Sequence, residues 1–496
     1  MKKQLIYNTI VMYVRLLITL FISLYSSRII LKNLGIEDFG IYNLVGGVVA
    51  LASFMANTLR DAVQRFYSIE IGKNNITTLN IVYSTSIRLH SWMALIVLLI
   101  LSIGFFFIPN YLKIPSESIS EALWVYTFSI LSMLVSIISI PFTSIITAYE
   151  KFNIIAIIGI VDAFAKLGVA FLIGVFISNR LIIYSGLLFT INLFSSLAYV
   201  IYSRKKFNWV RYTKRTEKKY VKDLCGFSLW NMFGSFANLF MSNGTNIIIG
   251  MFFSPIIVAA RGISYQIMGA VRHFSSNFQA VLNPQIIKYY AQKKIDSFIS
   301  RVFKGCRISF LLFFFICSPI AFYIGDILKL WLGEYPKYTE IFTILVLINA
   351  LLESMTYPIT TAVRATGNIK KYQIITSVLL ILCVFCSYTC LCMGHKPTIV
   401  FINNIFFTSF VLVIRFILLK RLVDYQWKLV FKMFGRIIIV VISIFIANLV
   451  ILQFDINTIL KIVLSYLTDA MILLFIGLEK SESKVLIKKI KYYGKE

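Results

Sequence analysis

From residue 7 to residue 477 the chain alternates long apolar runs with short polar segments. The runs are about twenty residues long, enough for a helix to cross a ~30 Å hydrocarbon core. Lipid offers backbone amides and carbonyls no partners, so an isolated crossing segment has to be a helix. The two-residue alternation of a membrane barrel is missing from these runs. The pattern predicts an all-α polytopic membrane protein with about fourteen spans. They are expected near 7–31, 41–59, 85–109, 122–146, 154–178, 181–202, 224–250, 255–282, 305–327, 340–362, 373–394, 397–419, 437–453 and 456–477. Met1-Lys2-Lys3 leads into the first run with no small-residue cleavage site. That run is therefore expected to stay as a span rather than leave as a signal peptide.

Composition agrees and adds a direction. Of 496 residues 59% are hydrophobic and 14% charged, where a soluble chain carries roughly a quarter charged residues. A net charge of +28 would suggest nucleic acid in a soluble protein. With the N-terminus in the cytoplasm, however, 34 of the 49 Lys and Arg fall in cytoplasmic segments. That bias is the positive-inside rule, and it places both termini in the cytoplasm of a bacterial inner membrane. The charge is topology with some attraction to anionic membrane lipid. No folded basic module is present to bind nucleic acid.

The seven cysteines, Cys225, Cys306, Cys317, Cys383, Cys386, Cys390 and Cys392, lie in later spans. Cys383-x-x-Cys386 has the spacing of a metal motif but sits among Leu, Val and Phe without a nearby His, so packing is the expected role. His90, His273 and His395 are far apart. No metal and no cofactor is expected.

The basic segment 203–223 divides the chain, with six expected spans before it and eight after. A repeat crosses that divide. Pro141-Phe-Thr-Ser-Ile-Ile-Thr-Ala148 matches Pro358-Ile-Thr-Thr-Ala-Val-Arg-Ala365 at an offset of 217, and Arg28-Ile-Ile-Leu falls over Asn246-Ile-Ile-Ile at 218. Each half starts on the same side, so the repeats are parallel, as in transporters that rock two lobes about a central site. The expected organisation is a six-helix lobe at 1–202, a linker at 203–223 and a second six-helix lobe at 224–419. An accessory pair at 420–478 and a basic tail at 479–496 complete the chain.

Ionisable residues inside spans are costly and need a reason. Arg88, Arg307 and Arg415 lie near cytoplasmic ends and are expected to snorkel. Asp162 and Lys166, one turn apart, are expected to pair. Glu353 and Asp469 show no partner, and each suits either a proton-carrying role or a hydrogen-bonded or protonated structural one. In the first span Asn8, Arg15, Thr19 and Ser26 share a narrow sector, with Arg28 near the outer boundary. In the seventh, Asn231, Ser235, Asn238, Ser242 and Thr245 form a polar stripe at helical spacing. In the eighth, Arg261 and Arg272 fall about 20° apart in azimuth. Stripes of this kind face a hydrated cavity or hydrogen-bond across a tight bundle. The arginines share their helices with no acidic residue, which favours the cavity and an anionic ligand, because guanidinium forks suit phosphate oxygens. No Walker-type loop is present for ATP, so an ion gradient or the membrane potential is expected to supply the work.

Several motifs carry a resemblance. They are Arg28-x-x-x-x-x-Leu34-Gly35-x-x-x-Phe39-Gly40-Ile41-Tyr42-Asn43, Gln64-Arg65-Phe66, Glu70-x-Gly72-Lys73, Ala148-Tyr-Glu-Lys-Phe152 and Asn283-Pro284-Gln285-Ile286. With them the chain resembles bacterial polysaccharide and O-antigen repeat-unit flippases. These form the polysaccharide transporter family of the multidrug/oligosaccharidyl-lipid/polysaccharide exporter superfamily. The resemblance covers the full length, including the last two helices. It implies a V-shaped pair of six-helix lobes that flips a polyprenyl-pyrophosphate-linked oligosaccharide by alternating access, for O-antigen lipopolysaccharide, capsule or exopolysaccharide. The family's cationic positions fall on Arg15, Arg28, Arg261 and Arg272, with Asn231 and Asn238 as polar neighbours. A related flippase holds sodium with acidic ligands. Here Asn231, Asn238, Asn403 and Asn404 stand in that region without a carboxylate, so the coupling ion, proton or sodium, is left open.

The expected function is therefore a flippase rather than an enzyme. The pyrophosphate is expected to dock on Arg15 and Arg272 and pass towards Arg261 and Arg28. Expected partners are the lipid-linked oligosaccharide, membrane lipids, a coupling ion and the polysaccharide assembly machinery. A drug/cation antiporter of the same superfamily would present carboxylates rather than arginines. A membrane polymerase or ligase would carry a large external loop, and every external loop here is short.

Overall fold

The computed structural model describes residues 2–213, 234–367 and 369–479. These residues are helical throughout, with no strand. In chain order the helices are α1 (Lys2–Leu34), α2 (Ile36–Ala50), α3 (Ser53–Gly72), α4 (Ile76–Ser102), α5 (Gly104–Tyr111), α6 (Ile119–Ala148), α7 (Phe152–Leu172) and α8 (Arg180–Lys206). After a helical stretch at 234–239 and a wide π turn at Phe240–Gly244 come α9 (Thr245–Phe252), α10 (Pro255–Ala291), α11 (Ile295–Phe322), α12 (Ile324–Leu332) and α13 (Thr339–Thr366). The chain continues with α14 (Lys370–Cys392), α15 (Thr398–Leu422), α16 (Trp427–Gln453) and α17 (Thr458–Ile472).

Eleven helical segments among the described residues are long and apolar enough to cross a membrane. The other three expected spans fall on less regular ground. The span at 41–59 lies across α2 and α3, which are separated at Leu51 and Ala52 by short i→i+3 bonds to Val48 and Val49. That at 224–250 runs partly outside the described residues and holds the π turn. The third lies on α10, which carries Arg261, Arg272 and His273.

Side chains are distributed as a lipid solvent requires. Trp92, Phe106, Phe194, Phe431 and Phe475 point outward, as apolar groups do when their surroundings are hydrocarbon. With little to gain from burying apolar surface, helices associate by close approach at small residues. At Gly40 an added Cβ would lie 2.0 Å from the Pro255 carbonyl oxygen. At Gly104 it would meet the Tyr126 hydroxyl, which donates to the Leu101 carbonyl at 2.6 Å. Between α1 and α2 the chain turns at Gly35, whose φ of 87° lies in the left-handed region that favours glycine.

The chain divides into two compact units, Met1–Gly262 with Leu380–Pro397, and Ile263–Leu379 with Thr398–Glu496. In the first, α1 packs on α7 and α6 packs on α3, α4 and α8. In the second, α13 packs on α11 and α15, and α16 and α17 pack on each other and on α11. The two repeat prolines occupy matching places: Pro141 lies inside α6 and Pro358 inside α13, each close to its helix's C-terminal end.

The start of the basic segment 203–223 is anchored in the first unit. Arg211 N–H donates to Asn80 Oδ1 at 2.9 Å, Thr213 N–H to Ser84 Oγ at 2.7 Å, and Arg88 Nε to Tyr212 Oη at 2.9 Å. In the second unit Asp469 is fully buried and accepts from Asn448 Nδ2 at 2.9 Å. This carboxylate ties α17 to α16, and Tyr466 Oη ties it to the Ile316 carbonyl of α11 at 3.3 Å.

Cys306, Cys317 and Cys383 are buried packing residues. Among the described residues no group of His, Cys, Asp and Glu is placed to hold a metal.

Candidate functional site

The cationic positions separate into two kinds. Arg261, in the second turn of α10, is 6% exposed and is bound by the neighbouring helix. Its Nη1 donates to Asn246 Oδ1 at 3.0 Å and its Nη2 to Thr245 Oγ1 at 3.3 Å; Nη2 also donates to the Ser242 carbonyl. Ser242 lies inside the π turn, where the wider backbone ring frees carbonyls from the i→i−4 ladder. The arginine thus fills a defect in its neighbour. Asn246 in turn donates to the Asn43 carbonyl of α2 at 3.1 Å, against Gly47. Gly250 meets Leu44 and Gly262 meets Asn43 on the same seam. Arg261 therefore clamps α2, α9 and α10 together.

Arg15 is placed differently. It lies half-buried along α1, with its guanidinium over Gly159 of α7, where an added Cβ would sit 2.6 Å from Nε and 2.9 Å from Cζ. One turn further on, Asp162 accepts from Lys166 Nζ at 2.8 Å and from Ser195 Oγ of α8 at 3.0 Å. The expected Asp162–Lys166 pair is thus present, with a third partner on α8. Tyr199, one turn beyond Ser195, lies within electrostatic reach of Arg15, Asp162 and Arg60 of α3. The first unit so carries a polar cluster in which cations outnumber carboxylates.

Arg272 lies further along α10, in the second unit. It bonds the Glu353 carboxylate of α13, with side chains 45% and 29% exposed respectively. Asn349 Nδ2, one turn before Glu353, donates to the other carboxylate oxygen at 3.1 Å. Tyr357, one turn after it, hydrogen-bonds Arg272. Arg415 of α15 stands 5.7 Å from the centre of the Tyr372 ring of α14, and the Tyr372 hydroxyl bonds Thr360 of α13 at 2.7 Å. Arg272, expected to be unpaired because its own helix holds no acidic residue, is paired across helices. The carboxylate comes from α13, and it gives Glu353 the partner that was missing from its own helix.

The polar stripe of the seventh span is split by the π turn. Asn238, before the turn, is exposed and donates back to the Gly234 carbonyl at 2.7 Å. Thr245, after it, is fully buried against Met241 and Arg261. Spacing at 100° per residue does not carry through a wide turn. Asn231 lies outside the described residues, as do Cys225 and the side chain of Asn8. Arg28 is exposed near the C-terminal end of α1. Arg307, expected to snorkel, is instead 6% exposed at its side chain and paired with Glu479 at 2.8 Å.

Sequence reasoning passed over Gly159 and Tyr357, and singled out Glu353 without joining it to Arg272. A lone glycine three residues before a charged residue on one helix face was the available signal for the first. For Glu353 it was an unmatched carboxylate in one span and an unmatched arginine in another.

The chain matches the profile of the polysaccharide biosynthesis protein family over residues 1–290. It is 26% identical over 367 residues to a putative O-antigen transporter of Shigella flexneri, covering 70% of this chain and 82% of that one. Among solved structures it is similar to the lipid II flippase MurJ in an inward closed conformation, at TM-score 0.64 and 13% identity. That match covers 94% of this chain and 98% of that one. It is also similar to an inward-facing multidrug resistance MATE family transporter of the MOP superfamily, at TM-score 0.62 and 13% identity over 83% and 98% of the two chains. The fold is that of these transporters.

Proposed function

The chain belongs to the polysaccharide biosynthesis protein family, and from that premise we propose that it flips a polyprenyl-pyrophosphate-linked oligosaccharide across the bacterial inner membrane by alternating access. The delivered unit would serve O-antigen, capsule or exopolysaccharide assembly. The observation that carries this reading is Arg272, on the helix expected as the eighth span, whose side chain is 45% exposed while it bonds Glu353 of a spanning helix. Lipid does not solvate such a group, so it faces water or a polar ligand. Fourteen spans, six in each parallel lobe and two accessory, and cytoplasmic termini belong to the same proposal.

In this mechanism Arg15 and Arg272 are the cations offered to the pyrophosphate. Glu353 holds Arg272 in the unliganded state, and the pyrophosphate takes the carboxylate's place. Asn238 and Tyr357 offer hydrogen bonds to sugar or phosphate oxygens. Arg261 acts at one remove, as a positioning residue that fixes α9 against α10. A cation antiporter is disfavoured because the three carboxylates away from the ends of the described spans carry partners: Asp162 with Lys166, Glu353 with Arg272 and Asp469 with Asn448.

The test is surface polymer in a strain whose only copy of the gene carries Arg15→Ala with Arg272→Ala. The protein should still reach the membrane, surface polysaccharide should vanish, and lipid-linked oligosaccharide should accumulate on the cytoplasmic leaflet. Normal surface polymer from the double variant would overturn the proposal. Unpolymerised units accumulating outside would point to a polymerase instead.

A further inference from the structure

The second unit holds a cavity of about 1310 Å³ lined by none of the residues assigned above to the pyrophosphate. Its walls come from α11, the end of α15 and its connection to α16, α16 and the segment that follows α17. Five cations line it: Lys304, Arg307, Lys420, Lys432 and Arg436. Three carboxylates accompany them, Asp296, Asp424 and Glu479. Glu479, at the last described position, sits at the centre of the cationic group. Its carboxylate lies 2.8 Å from Arg307, 3.6 Å from Arg436 and 3.7 Å from Lys304. Arg307 is buried within a spanning helix, where a cation needs an anion. The chain's own carboxylate fills that need from a tether at the end of α17.

The same cavity has an apolar side. Leu429, Ile439, Phe475 and Ile476 line it and are also exposed on the outer surface, Phe475 at 84%. Cations at one end and lipid-facing side chains at the other suit a molecule that is anionic at its head and hydrocarbon behind it. Basic pockets between spanning helices are where acidic headgroups bind.

We propose that this cavity is a binding site for the phosphate headgroup of an anionic phospholipid, with Glu479 as a tethered carboxylate that the phosphate displaces. The lipid's acyl chains lie along Leu429, Ile439 and Phe475, on the lipid-facing side of α16 and α17. Once Glu479 swings out, five cations face two carboxylates. The headgroup then bridges α11 and α16 in its place. The segment after Glu479, which carries six lysines, continues from this point and favours the same charged membrane surface. The site is separate from Arg15 and Arg272, so it stands whether or not these bind a pyrophosphate.

The experiment uses the full-length protein in an uncharged detergent. Binding is followed by thermal-stability shift and by retention of lipid in native mass spectrometry. Phosphatidylglycerol, phosphatidylcholine and inorganic phosphate are added separately. Phosphatidylglycerol is expected to bind and stabilise, with little effect from the other two. Lys432→Gln with Arg436→Gln should weaken phosphatidylglycerol about 30-fold, and Glu479→Gln should tighten it about fivefold. If the double variant does not fold, Lys432→Gln alone and Glu479→Gln carry the test in opposite directions. Equal shifts from phosphatidylcholine, or phosphatidylglycerol binding indifferent to all these variants, would overturn the site. An equal shift from inorganic phosphate would overturn the lipid assignment and leave an anion site.

Discussion

Arg272 of α10 and Glu353 of the spanning helix α13 meet as a half-exposed ion pair, and Asn349 holds the carboxylate's second oxygen at 3.1 Å. The pair is neutral as a whole, so it lowers the cost of an arginine at membrane depth. A ligand carrying two phosphates can compete with a single carboxylate for the same fork.

Glu353→Gln should therefore free Arg272 for the substrate. Affinity for a pyrophosphate-bearing lipid is expected to rise about tenfold, the worth of one charge-assisted hydrogen bond. Surface polymer should fall, because a ligand held more tightly is released more slowly. Titration of purified Glu353→Gln protein with undecaprenyl pyrophosphate measures the first effect. Unchanged affinity would separate Glu353 from the substrate.

Gly159→Ala and Gly40→Ala are expected to fail in different ways. At Gly159 the new Cβ meets the flexible end of Arg15, which can move aside. The protein should keep its melting temperature while export drops about tenfold. At Gly40 the new Cβ meets the backbone oxygen of Pro255, which cannot. There overpacking should cost about 1–3 kcal/mol of stability. Thermal melts beside surface-polymer assays distinguish the two outcomes.

Arg261→Ala should behave as a folding defect. It removes the donors that reach Asn246, Thr245 and the Ser242 carbonyl, at an expected cost of about 3 kcal/mol. The yield of monodisperse protein is the readout. Well-folded but transport-dead protein would move Arg261 into the binding group.

Asp38, in the first turn of α2, is pushed up from 3.8 to about 6 by burial, with Glu121 and Glu37 adding to the effect. A carboxyl raised on folding favours the protonated folded form. Its stabilising contribution is complete below 3.8 and is lost as pH rises through about 6. Melting temperature should fall across that window, and Asp38→Asn should flatten the fall. An identical pH profile in the variant would exclude Asp38 as its source.

The helical membrane fold was legible because hydrocarbon leaves a spanning backbone so few choices. Long apolar runs had to be helices, and Pro141 and Pro358, aligned in sequence, each lie inside a helix near its C-terminal end. What resisted reading was the departure from regular helix. The break at Leu51 and the π turn at Phe240–Gly244 have no hydrophobic signature, and both alter which side chains share a face. Partners across helices were hidden for a different reason. Arg272 and Glu353 are far apart in sequence, so only a search for opposite lone charges in separate spans would have joined them. Arg15 and Arg261 looked alike in sequence, but Gly159 leaves one accessible over a bare helix face while the π turn absorbs the other.

The π turn also sets how this helix tolerates changes in length. A wide turn is an α-helix with one residue inserted, and the flanks keep the phase they would have without it. Deleting one residue between Phe240 and Gly244 would leave Asn238 outside and Thr245 inside, as they are now. The same deletion elsewhere in the helix would rotate everything beyond it by about 100°. What the shortened helix would lose is the freed carbonyl of Ser242, and with it one of the acceptors that hold Arg261. The extra residue is thus a length insertion whose function is confined to a single oxygen.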